Sequence, residues 1–209
     1  GQDAGAAYAP WTTTVRGHRL AVLDATQVMD TSLAPAWTAT DDHPGLASAR
    51  TQGGGAARLL AAVRAARRTQ DSVVVLLHWG QELRPCPLPA QEQLAHQLLA
   101  AGADAVVGSH AHLQLGDGYA SAGGRTGFVD YGLGNFVFYA SGDPTTASGV
   151  LHLTFGGDGA RPGAVSDAVW EPAVISGGVP VPLTGAAADA ARRAKDALRS
   201  CTDLRATAG

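Results

Sequence analysis

Three of the seven histidines in this chain of 209 residues stand where imidazole can do chemistry. His78 closes the run Val73-Val74-Val75-Leu76-Leu77-His78, and His110 and His112 close Ala105-Val106-Val107-Gly108-Ser109-His110-Ala111-His112. Near-continuous Val and Leu runs of this length read as parallel strands buried on both faces. Open α/β sheets bind their ligands beyond the carboxyl ends of such strands. The spacing His110-x-His112 puts two imidazoles within reach of one ion or of two adjacent ions, and neutral imidazole is a common ligand for Zn, Fe and Mn. The competing reading is of strand-end histidines bonded to backbone carbonyls.

Other residues near these runs carry weaker signals. Glu82, four residues past His78, is either an outer carboxylate that orients a ligand imidazole by accepting its second N–H, or an exposed loop residue. In Gly132-Leu133-Gly134-Asn135-Phe136 the glycines permit a tight turn, and the Asn135 amide either binds an oxyanion or caps the loop. His18 and His43 lie in polar surroundings, His96 falls outside the Leu94/Leu98 stripe, and His152 alternates with Leu151 and Leu153; these four read as structural or solvated. The chain has no Gly-x-Ser-x-Gly elbow, P-loop or dinucleotide fingerprint, and Gly53-Gly54-Gly55 lacks the lysine that a phosphate cradle uses.

Elements that deliver the histidines follow from periodicity. Strands are expected at His18–Thr26, Ser72–His78 and Asp104–Gly108, with helices at Ala56–Arg68 and Ala90–Ala101 between them. Leu59, Leu60 and Val63 stripe the first helix and Leu94, Leu98 and Leu99 the second, which Gly102 stops. This β-α-β-α-β order implies a parallel sheet with right-handed crossovers. A polar loop is expected from Asp30 to Thr51. Past Ser109 the pattern changes to strands without intervening helices, at Thr126–Tyr131, Asn135–Tyr139, Gly149–Phe155 and Ala164–Ile175, which implies an antiparallel or mixed second layer. A closing helix covers about Gly185 to Arg199.

Composition bounds the class. Apolar residues make up 45% of the chain and the net charge is −3, so it is globular and has no electrostatic footprint for nucleic acid. Its longest apolar run is far short of the ~20 residues of a membrane span. The length suits a single domain, residues 1–209. Cys86 in a Pro-flanked loop and Cys201 after the last helix suit a long-range disulfide, which would place the protein outside the cytoplasm; the alternative is two unrelated thiols.

The ordered series His78-Trp79-Gly80-x-Glu82, Pro87-x-x-x-Gln91, Ala101 to His112 and Tyr131-Gly132-Leu133-Gly134-Asn135-Phe136 closely resembles the CapA-type proteins of poly-γ-glutamate capsule synthesis, within the calcineurin-like metallophosphoesterase superfamily. The resemblance runs from about Gly1 to Trp170. It implies a four-layer αββα sandwich, of which this chain would form the C-terminal part, with a two-metal site at the sheet edge. His78 matches the superfamily's lone metal-binding His, and His110 and His112 match its Gly-x-His-x-His pair. Two divalent ions (Mn, Zn or Fe) ~3.5–4 Å apart would clamp the attacking and leaving oxygens of a phosphoester.

The early Asp-x-His, Gly-Asp and Asn-His motifs of the superfamily have no counterpart in these residues. The expectation is therefore a site completed by an N-terminal portion of the same protein. The implied function is that of a metal-dependent phosphoesterase-like protein acting on an anionic polymer or phosphoester in extracytoplasmic capsule or envelope synthesis. The alternative is a non-catalytic envelope protein that binds an anionic surface polymer.

Overall fold

A computed structural model describes residues 1–139, 141–156 and 163–209. Its main sheet has six strands: β1 (Trp11–Val15), β2 (His18–Thr26), β3 (Ser72–His78), β4 (Ala105–Ser109), β5 (Asp117–Ala122) and β6 (Arg125–Asp130). They lie in the order β1-β2-β3-β4-β6-β5; the four inner strands are parallel, and β1 and β5 pair antiparallel at the two edges. After the single-turn helices α1 (Ala4–Ala7) and α2 (Ala34–Trp37), helices α3 (Gly55–Arg67) and α4 (Pro89–Ala101) form the crossovers between β2, β3 and β4. A second, antiparallel sheet contains β7 (Ala147–Gly156), β8 (Ala164–Ser176) and β9 (Val179–Pro182), and α5 (Gly185–Ala197) packs after it near the end of the chain.

Alternation along β3 explains the layering. Val73, Val75 and Leu77 face the helices and join Leu59, Val63, Leu94 and Leu98 in the larger core. Val74 faces the other way and packs with Ala105, Phe128 and Val165, which joins the second sheet to the first. On that second face, cover thins towards the carboxyl end: Val74 is 8% exposed, Leu76 is 37% exposed, and His78 is exposed. That face is therefore left uncovered where the strand ends. Helical layer, mixed sheet and antiparallel sheet make up a partial α/β sandwich, as the resemblance implies.

The strand expected at Asn135–Tyr139 does not form. That apolar stretch is a loop with Phe136, Val137 and Tyr139 exposed, so its hydrophobicity reflects surface and not core. The loop expected from Asp30 to Thr51 contains α2. Three strands missing from the sequence reading, β1, β5 and β9, share one cause. Each is joined to its partner by a two-residue turn with both residues at positive φ: Arg16-Gly17, Gly123-Gly124 and Gly177-Gly178. Such turns match the twist of antiparallel hairpins and specify them locally, without strong apolar alternation. Among the described residues no helix is long and apolar enough to cross a membrane.

Candidate metal centre

The ends of β3 and β4 bring the histidines together. His78 is in register with Ser109, and the Trp79 N–H donates to the Ser109 carbonyl, so both chains leave the sheet side by side. Gly108 makes this approach possible: a Cβ there would collide with the Tyr131 carbonyl and with Trp79 Nε1, which itself donates to that carbonyl at 3.0 Å. Beyond the sheet, His110 (φ 98°) and His112 (φ 56°) both adopt positive φ. Non-glycine residues in this region are uncommon and concentrate at functional sites.

The His78 and His110 ring centroids lie 4.5 Å apart, and those of His110 and His112 lie 6.2 Å apart. With metal–nitrogen bonds of about 2.1 Å, two imidazoles on one ion have centroids on the order of 5 Å apart. The first pair meets that separation; the second is wider. Asn135 donates through Nδ2 to the carbonyls of Thr145 (3.0 Å) and His112 (3.4 Å), which turns its Oδ1 towards His112 Nδ1 at 2.7 Å. His112 therefore donates from Nδ1, so the lone pair it can offer is on Nε2. His78 Nδ1 is likewise engaged, by Thr26 Oγ1 at 3.0 Å.

Electrostatics favour the neutral form of His78 and His110. Partial desolvation lowers the His78 imidazole below its ordinary value, against the opposing pull of Asp24; the His110 imidazole is lowered by desolvation and then by His78. Asp24, two residues before Thr26 on the same face of β2, has its carboxyl raised by burial. With Nδ1 engaged in His78 and His112, Nε2 is the atom each can turn to an ion, and imidazole nitrogen suits a borderline divalent metal. Yet among the described residues no three His, Cys, Asp or Glu side chains close into a group that could hold one. The donor set fits an ion in kind and is open in arrangement.

Asn135, left between oxyanion binder and loop cap by the sequence, both caps the loop and fixes His112. Glu82 is exposed and reaches the imidazoles only through its field, with no hydrogen bond to them among the described residues. Sequence reasoning misses Thr26 and Asp24; the signal for them is the polar end of an otherwise apolar strand. Phe138 stacks on His112 at 4.7 Å and on Tyr139 at 4.3 Å, so the loop beyond Asn135 forms an aromatic wall to the site. Away from the site, His96 pairs with Asp203, His152 with Glu171, and His18 bonds Ser72. Cys86 and Cys201 are joined as a disulfide with Cα atoms 5.7 Å apart.

A family model described as "Bacterial capsule synthesis protein PGA_cap" matches residues 1–140, a span that holds all three histidines, Glu82 and Asn135. The "Capsule biosynthesis protein CapA" of Bacillus anthracis is 40% identical over 117 residues, which are 56% of this chain and 26% of that protein. The "PGA biosynthesis protein CapA" of Bacillus subtilis (strain 168) is 39% identical over 97 residues, 45% of this chain and 24% of that protein. The chain thus spans about a quarter of the length of these curated relatives. Among solved structures, a hypothetical protein from Thermus thermophilus aligns with a TM-score of 0.40 and 20% identity, covering 84% of this chain and 60% of that one, a likeness too loose to bear on function.

Proposed function

The chain belongs to the PGA_cap family of bacterial capsule synthesis proteins, and on that premise we propose that it contributes the imidazole side of a divalent-metal site that acts on a phosphoester or an anionic polymer during capsule synthesis. The observation that carries this reading is the convergence of His78, His110 and His112 at the carboxyl edge of the parallel sheet, with two Nδ1 atoms already engaged. A bound divalent ion would supply Lewis acidity towards a substrate oxygen.

In this reading the chain's own residues do the positioning. Asn135 and Thr26 hold the rings of His112 and His78 in place. Asp24 and Glu82 add negative potential that favours a cation. Phe138 shields one face of His112 from water. A binuclear centre would need carboxylate ligands beyond these three imidazoles. The disulfide supports an oxidising, extracytoplasmic setting, in keeping with the capsule-related names of the relatives.

The test is titration of Mn²⁺ and Zn²⁺ into the chelator-treated chain by calorimetry, with hydrolysis of an aryl phosphate followed in parallel. We expect one saturable site that weakens at least about tenfold in His110→Ala, as loss of a single ligand or its outer partner does. Binding that is absent, or equal in the triple histidine variant, would sink the reading. The open arrangement of the imidazoles favours a second reading, a non-catalytic module that binds an anionic surface polymer. Polymer binding indifferent to chelator, without turnover, would select it.

A further inference from the structure

A cavity of about 430 Å³ lies between Tyr8, α2 and the start of α3. That volume is within the ~300–1,000 Å³ range of small-molecule sites. Ala34, Pro35 and Ala39 make much of its wall apolar, the two cations Arg50 and Arg58 also line it, and among the described residues no Asp or Glu does. Arg58 pairs with Asp41 at 2.9 Å, but both side chains are exposed, and such surface pairs are worth little and exchange readily. Arg50 is different. It is half-buried, donates only a long hydrogen bond of 3.4 Å to the Met29 carbonyl, and has no carboxylate partner among the described residues.

The cavity has a defined place relative to the histidines. Thr26 pairs with His78 on one side and bridges to Ser48 on the other. Ser48 lines the cavity, and Arg50 follows two residues later. Two interstrand steps of ~4.8 Å therefore separate the Ser48 and His78 backbones, about 10 Å in all. A ligand seated in the cavity lies along the same sheet edge as the imidazoles.

We propose that this cavity is a subsite for a carboxylate group at the end of an aliphatic chain. Arg50, with Arg58, holds the carboxylate in its planar fork, and Ala34, Pro35 and Ala39 pack the adjoining methylenes. The proposal rests on the function proposed above only for the link between this subsite and a reacting bond at the imidazoles; the binding itself needs no metal.

The experiment is calorimetry and amide NMR on the full chain in EDTA, with glutarate as probe, its neutral counterpart glutaramide, and inorganic phosphate. Glutarate should bind saturably and shift the amides of Thr38, Arg50, Gly53 and Gly55, all of which line the cavity. Glutaramide should not bind, and phosphate should bind more weakly than glutarate. Arg50→Gln should weaken glutarate about ten- to a hundredfold, the value of a charge-assisted hydrogen bond converted to affinity. The proposal is overturned by absence of glutarate shifts in the wild-type chain, which needs no variant to fold. Equal binding of glutaramide, tighter binding of phosphate, or full affinity in a folded Arg50→Gln chain overturns it too. Because EDTA is present throughout, failure of the metal reading leaves these results unchanged.

Discussion

Lys195, the chain's only lysine, gives the most demanding test of how the sandwich is held together. Its ammonium is buried, donating to Asp130 Oδ2 at 2.8 Å and to the Leu115 carbonyl at 2.7 Å, with Asp117 at 3.6 Å and the Trp170 ring centroid at 5.2 Å. Asp130 is fully buried; burial raises its carboxyl above the ordinary range, and Lys195 opposes that rise. Lys195→Met keeps the aliphatic bulk and removes the charge. Among the described residues Asp130 is then left with the Gly132 N–H as its one remaining donor and with Asp117 repelling it, so it must take up a proton. Protonating at pH 7 a group whose unfolded value is ~4 costs about 1.36 kcal/mol per unit, some 4 kcal/mol in all, in line with the ~3–5 kcal/mol for breaking a buried pair. Urea denaturation of both proteins at pH 7 and pH 5 reads this directly. The loss should shrink by about 2–3 kcal/mol at pH 5, where the proton is easier to supply, and Lys195→Met/Asp130→Asn should recover most of it. A loss below about 1 kcal/mol at pH 7, or one that does not change with pH, would refute the argument.

Three further outcomes are expected. Asn135→Ala removes the acceptor that fixes His112 Nδ1 and should weaken metal binding about 10–100-fold with all three histidines intact; unchanged affinity in a calorimetric titration would count against an orienting role. Reducing Cys86–Cys201 frees two positions 115 residues apart, and the chain-entropy model puts the loss at about 4–5 kcal/mol; a shift in denaturation free energy below about 1 kcal/mol would contradict it. His78 and His110 titrate below the ordinary imidazole value when folded, so the unfolded chain binds protons first as pH falls. Their contribution is whole above the ordinary value of ~6.5 and is lost below it. Between pH 7.5 and 5.5 the metal-free wild type should lose more stability than His78→Gln/His110→Gln; equal losses would show that these rings do not carry the effect.

What can be read from sequence is what is local in sequence. Strands His18–Thr26 and Ser72–His78 match the structure to the residue, because buried runs of Val and Leu have few other uses. The helices match within a residue at most ends, set by Pro89 at the start of α4 and Gly102 after it. Phe136 to Tyr139 mislead because an apolar run on a loop looks like one in a core. Lys195 gives no sign of its burial, since Asp117 and Asp130 reach it from β5 and the end of β6, far away in the chain. The hairpin partners β5 and β9 are legible through Gly123-Gly124 and Gly177-Gly178 when turn chemistry is weighed above apolar alternation, whereas Arg16-Gly17 before β2 is a weaker signal for β1.

The same division runs through the candidate site. The three imidazoles belong to short motifs at the ends of β3 and β4 and can be found from sequence alone. Which residue orients which ring cannot: Asn135 stands out in the sequence without its link to His112, and Thr26 does not stand out at all, because both come from the strands on either side. The order β2-β3-β4-β6 puts Thr26 beside His78 and puts the Asn135 loop, which follows β6, beside His112. Parallel neighbours in a sheet end at the same edge, so strand order alone decides which loop can reach which ring. His110, between the two, has neither ring nitrogen hydrogen-bonded among the described residues and is flanked by imidazoles on both sides. Its orientation is therefore set by packing against the neighbouring rings and not by a hydrogen bond.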